Sequence, residues 1–455
     1  MQTDLLLVGL LAAWPLIGAW LLHDAWRDRR PGVGLLLAYF LSMSILHWFG
    51  GLIYALPWYD GVDPELILIG FLQGTLGLAA FALGALGLGP RLVKAVPAAF
   101  PDTRFVAHRL TPVIYCLLGI FFYVVMAPVL SGVPSIRTFV WSGWSLLVAG
   151  ICLGSWQAWQ TRNRLAMLGW ALASLAPGVW MLARDGFLSY GIAVLTVVTM
   201  FVARYYRPRW LLLATGLIGA YVGLSLFVTY LRDRDEMRAL LWFQEGGEFS
   251  SVSFFSDMFS RFEWFDATNE EHLGRINVRL NQNMLVGAAV TYIEGGGEDY
   301  ARGETFRYAL EALVPRLLWP EKTVTAGSMG LVSRFTGLTF GEDTSVGMGQ
   351  VLEFYVNFGT PSVLVGFLLL GMVIRFVDQA AGNRLVRGDW RGFVVWFVPA
   401  LALLQAGGAL VEVSGGAAAG LVFTLVLHLL MPRLQSELPE PAPVPLASGL
   451  GTAGP

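Results

Sequence analysis

Four polar side chains share one face of a helix that the sequence predicts after residue 269. Asn269 is followed by two Glu residues, a pattern typical of a helix start. The four side chains are His272, Arg275, Arg279 and Gln282, at spacings of 3, 4 and 3 residues. Side chains at these spacings are neighbours on a helix surface. Two arginines one turn apart can hold a diphosphate through charge-assisted hydrogen bonds. The alternative is the solvated stripe of a surface helix.

A second set of cations lies in a segment that contains two prolines. Pro315 and Pro320 flank Arg316, and Lys322 follows. Because proline fixes its own φ angle, the segment is stiff and would present both cations rigidly to an anion. The alternative is a surface turn from which the cations extend into solvent.

One carboxylate precedes a long apolar run. Gln350, Glu353 and Asn357 share a face of an otherwise apolar helix predicted to end near Gly359. If this helix enters a membrane, an ionisable residue at that depth is costly and usually functional. Glu353 is therefore the best single candidate for chemistry. The alternative is a structural role in which a loop arginine neutralises Glu353 and ties the loop to the membrane.

The composition indicates the environment of these residues. Of the 455 residues, 56% are hydrophobic and 14% are charged, whereas a soluble domain is about 25% charged. Most of the chain must therefore face lipid or itself. The net charge of -2 argues against a nucleic-acid-binding protein. The two cysteines lie in apolar runs, which excludes a disulfide framework and a cysteine-based metal site.

Eleven apolar runs are long enough to cross a bilayer. They lie near residues 4–22, 33–56, 65–89, 110–130, 140–160, 165–183, 187–203, 210–231, 360–376, 392–412 and 414–431. Alternating crossings with the N-terminus outside place 17 of the 30 Lys and Arg residues in cytoplasmic segments and two in short external segments. This distribution follows the positive-inside rule. The predicted fold is an all-α polytopic membrane protein of about 11 transmembrane helices, N-out and C-in.

The predicted domains follow from these runs. Helices 1–8 occupy residues 1–231, a partly helical periplasmic loop occupies 232–350, and helices 9–11 occupy 351–433. The Pro- and Ala-rich stretch 434–455 is predicted to be a disordered cytoplasmic tail. Eleven of the cations lie in the loop, as do the Trp and Phe residues of 242–265, whose faces could stack on sugars.

Two further positions could take part in chemistry on the external side. Arg184 lies at the end of the sixth run, where it is either a membrane-edge anchor or part of an anion-binding cavity. Asp60 and Asp63, after the second run, could form an acidic catalytic pair. The histidines are scattered, so no metal site is predicted.

Several short elements between Arg302 and Gly359 occur in a recognisable order. They are Gly303-Glu304-Thr305, Pro315-Arg316, Trp319-Pro320-x-Lys322, Thr344-Ser345-x-Gly347 and Glu353-x-Tyr355-x-Asn357-Phe358-Gly359. This series, followed by a span and an Arg, resembles the C-terminal half of bacterial Wzy-type polymerases of O-antigen and exopolysaccharide repeat units. The explicit match covers about residues 275–360. The rest agrees in the number of spans and in the large external loop. An arginine placed like Arg184 also recurs in that family and in the related ligases.

The resemblance implies a GT-C-like, metal-independent glycosyltransferase of the bacterial inner membrane that uses no cofactor. Such an enzyme transfers the growing glycan from undecaprenyl diphosphate onto a lipid-linked oligosaccharide repeat unit at the periplasmic face. Its expected partners are the undecaprenyl-diphosphate-linked oligosaccharide, the lipid bilayer and a chain-length co-polymerase.

The resemblance also suggests roles for the candidate residues. Arg279, Arg316 and Arg184 would hold the diphosphate, because guanidinium groups in a low-dielectric site stabilise a leaving anion without a metal. Support would come from Arg275, Lys322 and Arg334, and further substrate contacts from Tyr355 and Asn357. Glu353 would be the general base or would orient the acceptor. His272 is the alternative base, since the ligases are expected to use a periplasmic His.

Two other functions compete with the polymerase. A glycan ligase would share the fold and the lipid-linked donor. A transporter would show inverted repeats or paired broken spans, and the sequence shows neither.

Overall fold

The fold is known from a computed structural model that describes most of the chain. The described residues are 2–27, 31–59, 63–96, 99–100, 102–130, 134–185, 189–206, 209–243, 254, 256–314, 319, 328–341, 346–431 and 435–437.

The described part of the chain is predominantly helical, and eight of its helical segments are long and apolar enough to cross a membrane. These segments are Asp4–Arg27, Leu35–Tyr54, Pro64–Ala95, Thr111–Val129, Arg164–Leu182, Ala214–Arg234, Thr360–Val386 and Leu410–Leu430. The chain is thus an all-α polytopic membrane protein in its broad class, as predicted. The other three predicted spans correspond to helices Pro134–Gln160, Ser189–Tyr205 and Trp390–Leu403, which are not among the eight.

The helices follow one another with short connections outside the loop. In chain order they are α1 (Gln2–Arg27), α2 (Leu35–Met43), α3 (Phe49–Tyr54), α4 (Pro64–Leu83), α5 (Gly89–Ala95), α6 (Thr111–Phe121), α7 (Ala127–Val129), α8 (Pro134–Gln160), α9 (Arg164–Ala173), α10 (Ala176–Asp185), α11 (Ser189–Tyr205), α12 (Arg209–Phe243), α13 (Glu270–Leu280), α14 (Asn283–Glu294), α15 (Glu304–Ala312), α16 (Met329–Thr336), α17 (Gln350–Phe358), α18 (Thr360–Val386), α19 (Trp390–Leu403) and α20 (Leu410–Leu430). Single π-helical turns join α2 to α3, α4 to α5 and α6 to α7.

Ion pairs hold one end of the helical bundle together. Arg375 pairs with Asp24 at 2.7 Å, and Arg387 with Asp102 at 3.4 Å. These residues belong to three segments that the charge distribution assigned to one side of the membrane. The contacts therefore place those segments at a common end, without fixing which side of the membrane that end faces.

A short antiparallel sheet lies at the same end, and the all-α prediction does not include it. Strand β1 (Phe105–Ala107) pairs with β2 (Gln435–Glu437), with Phe105 opposite Glu437. Three residues of the predicted disordered tail are thus a strand, and 438–455 lies outside the described residues. A three-residue strand whose partner is so distant in sequence gives too little alternation to be predicted.

Helix α14 inserts between two spans, although the sequence placed it in an external loop. A Cβ on Gly287 would lie 1.9 Å from the carbonyl oxygen of Leu66, and one on Gly70 would lie 2.0 Å from that of Asn283. Backbones can approach this closely only where glycine leaves the space free. The two glycines therefore bring α14 into direct contact with α4.

Hydrogen bonds fasten the start of α14 inside the bundle. The Asn283 side chain bonds the Nδ1 of His47 and donates to the His47 carbonyl oxygen, both at 2.8 Å, and the Gln282 N–H donates to the Leu46 carbonyl at 3.0 Å. His47 lies seven residues before Tyr54, which is about 10 Å along a helix. Part of the predicted loop thus reaches well below the end of the span Leu35–Tyr54.

Helix α12 extends the membrane bundle beyond the predicted start of the loop at residue 232. Its 35 residues span about 52 Å, against about 30 Å for the hydrocarbon core. On this extension Arg232 donates to the Arg261 carbonyl oxygen and to Glu263, both at 2.6 Å. The extension therefore supports the segment that leads into α13.

Candidate functional site

The side chain of Asn357 joins two motifs that are 54 residues apart in sequence. Its Oδ1 accepts a hydrogen bond from the Gly303 N–H at 2.9 Å. Its Nδ2 donates to the Thr305 hydroxyl and to the Glu353 carbonyl oxygen, both at 2.7 Å. Asn357 is fully buried, so these bonds satisfy an amide that would otherwise be costly to bury. The elements Gly303-Glu304-Thr305 and Glu353–Gly359 therefore form one site.

Backbone hydrogen bonds beside Asn357 fix a tight turn that presents Arg302. Arg302 and Gly303 both have left-handed backbones, with φ of 49° and 92°. A non-glycine residue pays about 1 kcal/mol for this conformation. Two hydrogen bonds to the end of α17 hold the turn in place: the Ala301 N–H donates to the Val356 carbonyl and the Arg302 N–H to that of Asn357.

An open cavity of about 570 Å³ lies beside this turn. Its wall consists of Glu294, Tyr300, Arg302, Tyr355, Asn357 and the segment Phe358–Pro361. This volume is within the range of small-molecule sites. Of the residues predicted from the sequence, Tyr355 and Asn357 line it.

Gly359 forms the bend between α17 and the span α18. Its φ of 69° and ψ of -158° lie in a region that essentially only glycine adopts. The bend places the cavity where the loop meets the membrane. Beyond it, Val365 and Leu369 are more than half exposed along α18, and in a membrane such an apolar face contacts lipid.

Glu294 and Tyr355 form a hydrogen-bonded pair in the cavity. The Tyr355 hydroxyl donates to the Glu294 carboxylate at 2.8 Å. Burial raises the pKa of the Tyr355 phenol, and its hydrogen bond to Glu294 acts in the same direction. Tyr355 therefore stays a donor that holds the carboxylate in place, and Tyr300 packs beside it with ring centroids 6.2 Å apart.

Arg302 differs from several other described arginines of the loop. Arg302 lines the cavity, and no described residue forms an ion pair with its guanidinium. Several other loop arginines are each neutralised by at least one carboxylate: Arg232, Arg261, Arg275, Arg307 and Arg334. Arg302 is thus available to an anionic ligand.

Arg334, a predicted supporting residue, contacts two carboxylates. It pairs with Glu298 at 2.8 Å and with Glu304 at 2.9 Å. Glu304 belongs to the first motif, so this arginine braces the start of α15. A phosphate would have to displace these carboxylates to reach it.

The predicted face of α13 forms a separate cluster around Glu263. Arg275 and the Nε2 of His272 each lie 3.3 Å from its carboxylate, and Arg275 also pairs with Glu271. The Nδ1 of His272 accepts from the Asp266 N–H at 3.1 Å, which leaves the proton on Nε2. In this arrangement neither nitrogen of His272 is a free base. Arg279 is exposed on the same helix but does not line the cavity.

Glu353 is fully buried and does not line the cavity. Its Oε2 accepts a hydrogen bond from the Leu410 N–H at the start of α20, and the Thr305 side chain also interacts with the carboxyl group. Burial raises the pKa of Glu353 to about 7, while hydrogen bonds from Leu410 and Thr305 act in the opposite direction. The side chain therefore ties α17 to α20 and would have to move to meet a substrate.

The stability of the protein is expected to depend on the charge of Glu353. Because its pKa is raised from 4.5 to about 7, the stabilisation is complete below pH 4.5 and is lost as the pH rises through about 7. The loss amounts to about 3 kcal/mol at most. Thermal melts of the purified protein from pH ~5 to ~8.5 should show this fall, and Glu353→Gln should reduce it. An equal pH dependence in both proteins would contradict the assignment.

Several predicted residues lie where the structure gives no side chain. Arg316, Lys322 and Asp60 lie outside the described residues. Arg184 lies on α10, but its side chain is not described. Most of the aromatic segment 242–265 before residue 256 is likewise undescribed.

The side chain of Asp63, a predicted catalytic candidate, is described. It caps α4 by accepting a hydrogen bond from the Glu65 N–H at 2.9 Å, which accounts for this carboxylate without catalysis.

Sequence reasoning missed three residues of the cavity: Glu294, Tyr300 and Arg302. Arg302 directly precedes the first motif, which was a usable signal. Glu294 ends an apolar helix before three glycines, where a charged residue is normally read as a solvated helix end. Nothing local marks Tyr300. Within the described ranges, no three His, Cys, Asp or Glu side chains form a group that could hold a metal ion.

No protein-family model, no curated protein and no solved structure matches the chain.

Proposed function

We propose that the chain is a polysaccharide polymerase of the bacterial inner membrane. It transfers a growing glycan from undecaprenyl diphosphate onto a lipid-linked oligosaccharide repeat unit. In this proposal the chain crosses the membrane eleven times, N-out and C-in, so the cavity beside Arg302 faces the periplasm. The reaction needs no metal, and a chain-length co-polymerase is the expected protein partner.

The meeting of the two motifs at Asn357 is the observation that supports this proposal best. Both motifs belong to the series of elements that resembles Wzy-type polymerases, and residues in and beside them line a cavity next to the span α18. A donor anchored by a long lipid has its reacting sugar at this depth. A site for it therefore belongs beside a lipid-facing helix rather than in the middle of the bundle or far into solvent.

The chemistry available in the cavity fits the transfer. A leaving diphosphate needs its developing charge stabilised, which a guanidinium without an ion pair to another described residue, such as that of Arg302, can do. An acceptor hydroxyl needs a base within hydrogen-bond reach, and the cavity contains a carboxylate. The tyrosines offer flat apolar faces with a polar edge, which suit sugar rings.

Deletion of the chain from its bacterium tests the proposal against a ligase. We expect the surface glycolipid of the deletion strain to carry single repeat units, because ligation of an unpolymerised unit would continue. Gel electrophoresis of the extracted glycolipid gives the result. A glycolipid with no repeat units would identify a ligase instead. A normal glycan ladder would exclude both activities, and complementation with the intact chain is the control.

A further inference from the structure

The geometry points to Glu294 as the general base and Arg302 as the diphosphate-binding residue of one active cavity. This inference rests on the proposed transfer reaction and assigns two residues to it. It replaces both Glu353 and His272 in the role of base.

Access to the cavity separates Glu294 from the other candidate bases. Glu294 is exposed and lines the cavity, whereas Glu353 is fully buried and bonded to Leu410. The ring nitrogens of His272 are engaged by Asp266 and Glu263. Among these three groups, Glu294 alone has a free approach for an acceptor hydroxyl.

Tyr355 positions Glu294 for this role. The tyrosine is 1% exposed and its hydroxyl bonds one carboxylate oxygen, Oε1. A buried ring holds its hydroxyl in one place, so the carboxylate is oriented before the substrate binds. The second oxygen, Oε2, then receives the proton. Tyr355 is thus a positioning residue and not the base.

The backbone of Arg302, which directly precedes the first motif, is also held in place. Its backbone is fixed to the end of α17, and the neighbouring Gly303 is fixed to Asn357. No described carboxylate is paired with the guanidinium, so an anion can bind it without displacing one. A planar guanidinium can bind two phosphate oxygens at once.

The exposed face of α18 continues from the cavity into the membrane. Phe358 borders the cavity, and Leu364, Val365 and Leu369 follow along the helix as exposed apolar residues. The lipid of the donor can lie against this face while its diphosphate reaches Arg302. The ligand class is therefore a lipid-linked diphosphate and not a free one.

The transfer then proceeds as a single displacement at the anomeric carbon of the donor glycan. The oxygen of the acceptor hydroxyl forms a bond to the anomeric carbon of the donor glycan. The bond between that carbon and the diphosphate oxygen breaks, and its electron pair leaves with the diphosphate beside Arg302. The hydroxyl proton passes to the Glu294 carboxylate.

Binding of undecaprenyl diphosphate to the full-length protein in lipid nanodiscs tests the role of Arg302. Arg302→Ala should weaken binding by about 10- to 100-fold, the effect of losing charge-assisted hydrogen bonds. Arg307→Ala, which removes an exposed arginine paired with Glu311, is the matched control and should bind as the intact protein does. Unchanged binding by Arg302→Ala, or equal affinity for inorganic pyrophosphate, would overturn this assignment.

The role of Glu294 is tested by measuring glycan transfer with the protein in the same lipid nanodiscs. The substrate is lipid-linked oligosaccharide extracted from the deletion strain. Glu294→Gln should bind undecaprenyl diphosphate normally but transfer about 100-fold more slowly or worse. Glu294→Asp should retain part of the rate, and Glu270→Gln, an exposed carboxylate at the start of α13, should retain all of it. Tyr355→Phe should alter the pH profile of the rate more than the binding.

The base assignment and the polymerase proposal would be refuted by different results. Full transfer by Glu294→Gln would refute the base assignment and leave the polymerase intact. If the unaltered protein makes no polymer from this substrate, the proposed function fails, and the binding measurements still decide whether Arg302 holds a lipid diphosphate.

Discussion

Replacing Asn357 with alanine is expected to remove most of the polymerising activity while the chain still inserts into the membrane. The substitution deletes the bonds to Gly303, Thr305 and the Glu353 carbonyl. Each buried group left without a partner costs about 1–3 kcal/mol. The turn at Arg302 would then lose its side-chain connection to α17 and keep only two backbone hydrogen bonds, and activity should fall by about two orders of magnitude.

Thr305→Val is the control for this prediction. It keeps the side-chain volume and removes only one of the bonds of Asn357, so its glycan should be much longer than that of Asn357→Ala. Glycan length on gels and protein level in membranes are measured together. Normal glycan from Asn357→Ala at a normal protein level would show that the connection between the motifs has no role.

Replacing Gly287 with valine is expected to prevent α14 from docking between the spans. The new Cβ would meet the backbone oxygen of Leu66 at 1.9 Å, and a carbonyl in a helix cannot rotate away. The cost is about 3 kcal/mol or more, and the buried Asn283–His47 bonds would be strained as well. We expect a melting temperature far below that of the intact protein, together with poor accumulation.

Gly274→Ala gives the comparison for Gly287→Val. Gly274 lies on the neighbouring helix α13, and its nearest contact for an added Cβ is 3.9 Å away. Alanine there should raise stability by up to about 1 kcal/mol through helix propensity. If Gly287→Val and Gly274→Ala melt at the same temperature, the close approach of α14 to α4 is wrong.

The membrane helices could be predicted because each depends on a local property, the length of an apolar run. The insertion of α14 could not. Its 12 residues are too few for a span, and its burial depends on Gly70 and on polar bonds to His47. Such contacts between distant segments leave no periodic pattern in the sequence.

The candidate site was predicted in part for the same reason. Tyr355 and Asn357 were found because they lie in one compact motif. The pairing of Arg275 with Glu271 was available from the sequence, since residues four apart on a helix often form ion pairs. That spacing weakened the case for a free arginine pair on α13. The partners of Arg334 lie 30 and 36 residues away, beyond any local rule.

Reconstitution gives the most direct test of the central claim that this chain elongates lipid-linked glycan. The purified full-length protein in lipid nanodiscs would receive lipid-linked repeat units extracted from the deletion strain, with EDTA present, and products would be resolved by length. The account predicts a ladder of polymers that does not depend on added metal and that Glu294→Gln does not form. Repeat units that remain single with the intact protein, under conditions in which it binds undecaprenyl diphosphate, would contradict it.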